Sequence, residues 1–514
     1  MKILNRSILT LTAITAFFSG RELFFSESQS TFIDKDLEQQ DSFSFEKAKL
    51  SLAHQDSHLF DTPAQIPSPR TNYKVRFDIY KQTIVGNINT SQEDAQGVIR
   101  VGGDFDRGTF CFAIKDRVIT DGVAIYPRER ICYIIESVTS EGYVKWVKKK
   151  LSDIACVDLP QDNTVEIAKG GGGAAVTTAV SLVTTQENVP ILNSREIAKT
   201  VLYLDFIGGK VQDPLWNGGK VMYVSPANYN LDQIKTVYSV VAERYAAFNI
   251  NVTTDPQRYA NAPVGNRMRI ILTTTPVVAG YGGYSFIGSL RNAGRGIFSS
   301  SVPCFTFVQS VGNAKNAGEV TAHELGHTFG LNHDSTTILG SSKYYYGQGV
   351  WAPIMGCVYT RAVAQWSKGE YNQANNKEDD INIIASTPNT GFTSSTNDKD
   401  PIILGESLSV SDIICPDKSR YFSYESTTAG TLQLNVSVPF HGALNAAIEL
   451  RDGSNTSVLN KVNTANNLST QMNTLITPGK YIIRVYGEGE GYPKTTGYSS
   501  YGSIGSFVLT GTLK

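Results

Sequence analysis

Residues 321–335 read TAHELGHTFGLNHDS, and the spacing inside that stretch decides how the rest of the chain is to be read. Residues 322–329 suit a helix, on which His323 and His327 stand four apart and project from one face, both in reach of one metal ion. Glu324 follows the first histidine and so stands beside a metal held there, not on it. Gly330 can take the left-handed backbone that stops a helix, and the reversal brings His333 back as a third nitrogen. Three imidazoles around a tetrahedral zinc ion leave one position open for water. Three of the six histidines in the chain fall within this stretch, which makes chance clustering a poor explanation. A bare HExxH also occurs on ordinary helices, whereas HExxHxxGxxH is far more restrictive.

Downstream, residues 352–356 read APIMG and place Met355 in a short apolar turn. Alone, such a methionine is ordinary core packing. Together, the two strings match the metzincin signature of a three-histidine helix followed by a methionine turn. From about residue 200 to 384 the sequence resembles the metzincin zinc endopeptidases, most closely the reprolysin-like (adamalysin-like) group, which carries an aspartate after the third histidine, as Asp334 does here. Residues 365–381, QWSKGEYNQANNKEDDI, are similar to the segment after the methionine turn in bacterial secreted members. The resemblance implies an α/β protease domain with one catalytic Zn2+ on His323, His327 and His333 and with Glu324 as the general base. It implies Met355 packed beneath the histidines, and Gly330 and Asp334 supporting the site. One position departs from some groups, in which a tyrosine two residues after the methionine is an extra ligand. Cys357 stands there, so Tyr359 is a poor candidate.

Upstream of the site, TVLYLDF (200–206) reads as a buried strand, and residues 231–249 place Ile234, Val237, Val241, Tyr245 and Phe248 at helical spacing. INV (250–252) and MRIILT (268–273) supply further strands, so the domain is mixed α/β. YGGYSFIGSL (281–290) fits either an edge strand that holds an extended peptide by strand addition or a glycine-rich surface loop. Cys304 precedes the zinc helix and Cys357 lies in the methionine turn. A disulfide between them is reasonable, although six cysteines leave the pairing open.

At 514 residues with a formal net charge of -1, the chain has room for about three domains and offers no electrostatic case for nucleic acid. Lys2 and Arg6 precede an apolar run (8–18) too short for a bilayer span, the pattern of a signal peptide over residues 1–20. A secreted, extracellular protein with no membrane span is therefore expected. Residues 21–165 read as a propeptide. Its first part is polar and aperiodic, with His54 and His58 best taken as solvated residues lacking a third ligand. From about residue 73 it becomes β-rich, with KVRFDIY, GTFCFAIK, GVAIYP, RICYIIES and GYVKWVKK as strands. Cys111 and Cys132 fit either a disulfide or two buried thiols. Cys156, in DIACVDLP, is either a zymogen switch that occupies the open zinc position or a structural cysteine. Residues 166–195 form a linker around the glycine string 170–173, a natural site for maturation cleavage between 158 and 195. The catalytic domain then occupies 196–386.

A polar linker (387–401) leads to residues 402–514, which alternate like an all-β sandwich and resemble the bacterial pre-peptidase C-terminal domain, most closely at GYSSYGSIGSFVLTG. Ca2+ is a second cofactor which that resemblance raises. Lys418 and Arg420 stand where members often carry aspartates, which argues against it. Tyr486, Tyr492, Tyr498 and Tyr501 fit turn and core packing or adhesion to a polymer surface. The expected function is a secreted zinc endopeptidase made as a zymogen, acting on protein or peptide substrates. The alternatives are a secreted binding protein with an idle zinc domain and an adhesive sandwich, and a zinc hydrolase acting on something other than protein.

Overall fold

Short runs rich in β-branched and aromatic residues between 74 and 150 become a meander of antiparallel strands, in which the pleat sends successive side chains to opposite faces. The strands are β1 (Glu46–Lys47), β2 (Ser51–Ala53), β3 (Lys74–Ile79), β4 (Gln82–Glu93), β5 (Ile99–Phe105), β6 (Gly108–Lys115), β7 (Val118–Tyr126), β8 (Ile131–Val138) and β9 (Tyr143–Lys150). Their order in the sheet is β1-β9-β8-β7-β6-β5-β4-β3-β2. Only three residues separate β1 from β2, yet they pair with opposite edges, β9 and β3. The two edges therefore approach each other and the sheet curls into a barrel. Phe77, Phe110, Phe112 and Trp146 fill its interior, while Cys111, between two inward phenylalanines, faces outward.

This computed structural model describes residues 46–47, 51–53, 74–79, 82–93, 97–116, 118–138, 143–151, 154, 186–278, 280–298, 301–338, 343–393, 401–404 and 408–514. The expected signal peptide, His54, His58, Cys156 and the glycine string 170–173 lie outside the described residues.

The second region runs through β10 (Thr200–Asp205), β11 (Gly209–Val211), β12 (Met222–Val224), α1 (Leu231–Tyr245), β13 (Ile250–Thr253), α2 (Pro256–Asn261), β14 (Arg267–Thr273), β15 (Gly283–Tyr284), β16 (Cys304–Phe307), α3 (Ala314–Phe329), β17 (Trp351–Pro353), β18 (Val363–Gln365) and α4 (Asp380–Ala385). Its five-stranded sheet has the order β13-β10-β14-β16-β15, parallel except for β15. Asn230 and Gln233 form a reciprocal capping box at the start of α1. The apolar stripe of α1 (Ile234, Val237, Val241, Tyr245) and the buried face of α3 enter one core with Leu202, Ile270 and Leu272. Gly318 lets the two helices touch, since a Cβ there would lie 2.7 Å from Val240 Cβ.

Two expectations are corrected here. The edge segment is neither a ten-residue strand nor a surface loop. Only Gly283–Tyr284 pairs with β16, and Gly283 through Ile287 are buried or half-buried under neighbouring layers. No disulfide joins the five described cysteines, so the expected Cys304–Cys357 bridge is absent, and of the two readings of Cys111 and Cys132 the pair of buried thiols holds. Cys111 on β6 and Cys132 on β8 have β7 between them, a separation of roughly 9–10 Å that a disulfide cannot span. Cys304 directs its thiol to Arg269 O on β14 (3.7 Å) instead of to Cys357.

The third region contains β19 (Ile402–Ile403), β20 (Ser409–Ile414), β21 (Ser419–Ser426), β22 (Gly430–Ser437), β23 (Ala446–Asp452), β24 (Val458–Asn463), β25 (Thr470–Ile476), β26 (Gly479–Gly487) and β27 (Gly505–Leu513). Sheets β19-β21-β26-β23-β24 and β20-β27-β22-β25 share one core around Phe422, Leu434, Ile448, Ile483 and Phe507, the arrangement of a sandwich. The whole is mostly β-sheet with few helices, and no helix among the described residues is long and apolar enough to cross a membrane. Two of the four tail tyrosines dock the sandwich onto the middle region. Tyr498 is buried, and Tyr501 Oη donates to Asp379 Oδ1 (2.6 Å) and accepts from Ile381 N (2.9 Å) at the start of α4.

Candidate metal centre

Helix α3 begins at the Asn313 cap, a full two turns before the expected start, and ends where Gly330 takes φ 106°. Gly330 N donates back to His327 O, and the chain turns to carry His333 toward the helix. Nδ1 of His323 lies 2.8 Å from Ile354 O, and Nδ1 of His327 lies 2.7 Å from Leu331 O. A carbonyl can only accept, so each Nδ1 carries the proton and each Nε2 presents a bare lone pair. His327 Nε2 is 3.0 Å from both His323 Nε2 and His333 Nε2. The lone pairs of His323 and His327 thus face each other with no proton between them, which is repulsive, and a shared cation relieves this.

Those distances fit a metal. Imidazole nitrogens about 2.0–2.1 Å from one tetrahedral zinc ion stand roughly 3.3 Å apart, close to what is found here. Burial holds the rings neutral, which is the ligating form. Desolvation takes His327 down to about 4 and His323 and His333 well below the ordinary value, with the neighbouring imidazoles adding to the effect at the last two. Among the described residues these three are the only group of three or more His, Cys, Asp or Glu side chains placed to share an ion.

The methionine turn supports the histidines from beneath. A Cβ on Gly326 would lie 2.7 Å from Met355 Sδ, so the sulfur packs on the helix backbone between His323 and His327. His323 is tied to this turn through Ile354 O, and Asp334 N donates to Met355 O at 2.9 Å. Asp334 is buried, its Oδ1 accepts from Tyr371 Oη (3.2 Å), and burial raises its carboxyl above the usual range. Tyr359 packs at the edge of the core.

Residues 233–367 match the Reprolysin_5 model of metallo-peptidase family M12. The M12 stretch contains α3, all three histidines, Glu324 and the methionine turn. Over 23% of its length the chain is also similar to the crystal structure of the pre-peptidase C-terminal domain of collagenase from Bacillus anthracis, at 16% identity and a TM-score of 0.18, covering 100% of that chain. Over 22% it is similar to PliG, a periplasmic inhibitor of g-type lysozyme from Aeromonas hydrophila, at 13% identity and a TM-score of 0.16, covering 96% of that chain. At that level neither likeness bears on the chemistry. No curated protein matches the chain.

Three site neighbours carry no signal in the sequence. Ser285 Oγ is 2.6 Å from Glu324 Oε2 and 2.9 Å from Glu324 O, so it holds the carboxyl from the β15 side. Gly283 lies flat against the same carboxylate, since a Cβ there would meet Oε1 at 2.5 Å. Tyr344 Oη stands 3.4 Å from His333 Nε2, its ring centroid 4.6 Å from that imidazole. The glycine and serine sit in a string that reads like a loop, and Tyr344 is one of three consecutive tyrosines that spacing cannot tell apart.

Proposed function

We propose that this chain is a secreted zinc-dependent endopeptidase, made as a zymogen, that hydrolyses peptide bonds in proteins. His323, His327 and His333 are its zinc ligands and Glu324 its general base. The observation that carries the reading is the approach of His327 Nε2 to 3.0 Å from both His323 Nε2 and His333 Nε2, with the lone pairs of His323 and His327 turned inward, beside a fully buried carboxyl group. The match to an M12 metallopeptidase supports proteolysis, and the leader-like first 20 residues support export. Zinc held there supplies Lewis acidity, lowering the pKa of water from 15.7 to about 7 and polarising a peptide carbonyl.

The chain's own residues do the rest. Glu324 is adjacent to the first ligand, takes the proton from the attacking water and delivers it to the leaving amine nitrogen. Ser285, hydrogen-bonded to Oε2, holds the carboxylate in one orientation, and the bare backbone of Gly283 leaves room for it. Met355 and Asp334 support the ligands. Cys156 is either a zymogen switch or a structural cysteine, and Cys156→Ala separates the two by shortening latency only in the first case.

The test is cleavage of unfolded casein by the secreted protein with and without a zinc chelator, alongside Glu324→Gln. Chelator-sensitive cleavage is expected, and Glu324→Gln should keep zinc while losing about 10²–10⁴-fold in rate. Undiminished turnover by that variant would refute the assignment of the base.

A further inference from the structure

The central sheet has two faces and the long helices cover one of them. Ile270, Leu272 and Cys304 point to α1 and α3, while Ile271, Phe305 and Phe307 point away. That second face is closed by Trp216 and by the outer wall of the N-terminal barrel, where Cys111, Val123, Cys132 and Leu151 join it in one continuous apolar cluster. The seam is built like a protein interior. Arg100 of β5 pairs with Asp213 (Nη2 to Oδ1 3.3 Å), with their side chains 1% and 5% exposed. A Cβ on Gly102 would lie 2.5 Å from Pro214 Cα, and one on Gly218 would lie 2.8 Å from Gly103 O, so backbone rests on backbone. Asn89 Nδ2 donates to Gly218 O (2.8 Å), Ile297 N donates to Asp121 Oδ2 (3.0 Å), and Ile287 N donates to Ile154 O (3.0 Å).

A propeptide that left after maturation would strip this face, exposing a wall of aromatic rings and separating Asp213 from its arginine. We propose that the barrel is a permanent second subunit of the mature protease, held without a covalent link after the chain is cut between residues 158 and 195. This rests on the zymogen reading for the place of the cut. The interaction surface is the outer face of β14, β16 and β15 with the loop around Trp216, and its partner is the protein's own N-terminal fragment.

The experiment uses the full chain carrying Glu324→Gln, with the recognition sequence of an unrelated protease placed in the glycine string 170–173. After complete cutting at micromolar concentration, the fragments are run on a sizing column in native buffer and in urea. Co-elution in native buffer and separation in urea is expected. In Arg100→Met the cut fragments should bind about 10²–10³-fold more weakly, the effect of removing the counter-charge of a buried carboxylate, while the uncut chain stays assembled because tethering keeps the local concentration high. An N-terminal fragment of the unaltered interface that elutes alone in native buffer overturns the proposal, whatever the fate of the Arg100 variant. Proteolysis plays no part in this readout, so failure of the endopeptidase reading would show separately in the casein assay.

Discussion

Glu319 stands one helical turn before His323 on α3 and receives a forked arginine from α1. Arg244 Nη2 donates to Oε1 at 2.7 Å and Nε to Oε2 at 3.0 Å, with the two side chains 2% and 1% exposed. The third edge of the guanidinium donates to His441 O of the sandwich (2.8 Å), and the next residue, Tyr245, donates to Ala322 O at 2.9 Å. One ion pair thus joins the backing helix, the ligand helix and the C-terminal region. Glu319→Gln keeps the shape but leaves a buried guanidinium without its counter-charge, with an expected cost of about 3–5 kcal/mol. That is a large share of the roughly 5–15 kcal/mol by which a folded domain is stable. Urea unfolding followed by circular dichroism at 222 nm suits the measurement, because α1 and α3 are the long helices among the described residues. The midpoint should fall without a change in slope. The double variant Arg244→Met, Glu319→Leu should recover most of the loss, since apolar replacement removes both desolvation costs. The pH dependence has a defined sign. Burial alone would raise the Glu319 carboxyl, but Arg244 and Lys315 outweigh it and bring the group below its ordinary value. Its stabilisation is therefore full above the unfolded value near 4.5 and is lost as pH falls through the folded one. A loss below about 1 kcal/mol in Glu319→Gln, or an acid slope identical to the parent's, would show that the pair does not hold α3 in place.

Four further outcomes are expected. Ser285→Ala should leave zinc content unchanged and lower kcat roughly 10-fold, the worth of one hydrogen bond to a charged group, with the acidic limb of the pH–rate profile displaced. Tyr344→Phe should lower kcat by about 10-fold or more at constant zinc content if its hydroxyl serves charge on the open side of the ligands, whereas a purely packing role would leave kcat unchanged. Gly326→Ala drives a methyl into Met355 Sδ and should cost about 1–3 kcal/mol in thermal unfolding and weaken zinc binding measured by competition with a chelator. Burial pushes the Cys111 thiol up to about 12, so this residue should resist a disulfide-exchange reagent at pH 8 in the native protein and react in urea, read by mass analysis of the labelled peptide.

Much of the site was legible before any coordinates, and for a local reason. The i, i+4 repeat of His323 and His327, the glycine stop at Gly330 and the return of His333 are all encoded within eleven consecutive residues, so local backbone geometry alone brings the three imidazoles together. Period-2 patterning reports the face of a strand and made β3 and β6 to β9 of the barrel legible, along with part of the sandwich, but β4 and β5, reading QTIVGNINTSQE and IRVGGDF, are too polar or glycine-rich to show it. The start of α3 was placed late because its first turns, Ala314 to Thr321 by number, carry small and polar residues with no apolar stripe, and only packing against Val240 and Arg244 shows that they are buried.

What sequence order could not express were relations between distant segments. Ser285 and Gly283 reach Glu324 across about 40 positions, and Arg100 reaches Asp213 across more than 100. Each side chain taken alone reads as ordinary surface or loop. Cys111 and Cys132 invited a disulfide because both lie in strands, and the order of those strands in the sheet forbids it. Pattern within a segment reports its own helix or strand and which face is apolar. Which other segment covers that face is set by the free energy of closing the whole chain around shared cores, and here that decided that the N-terminal barrel and the C-terminal sandwich are both built onto the central sheet and its helices.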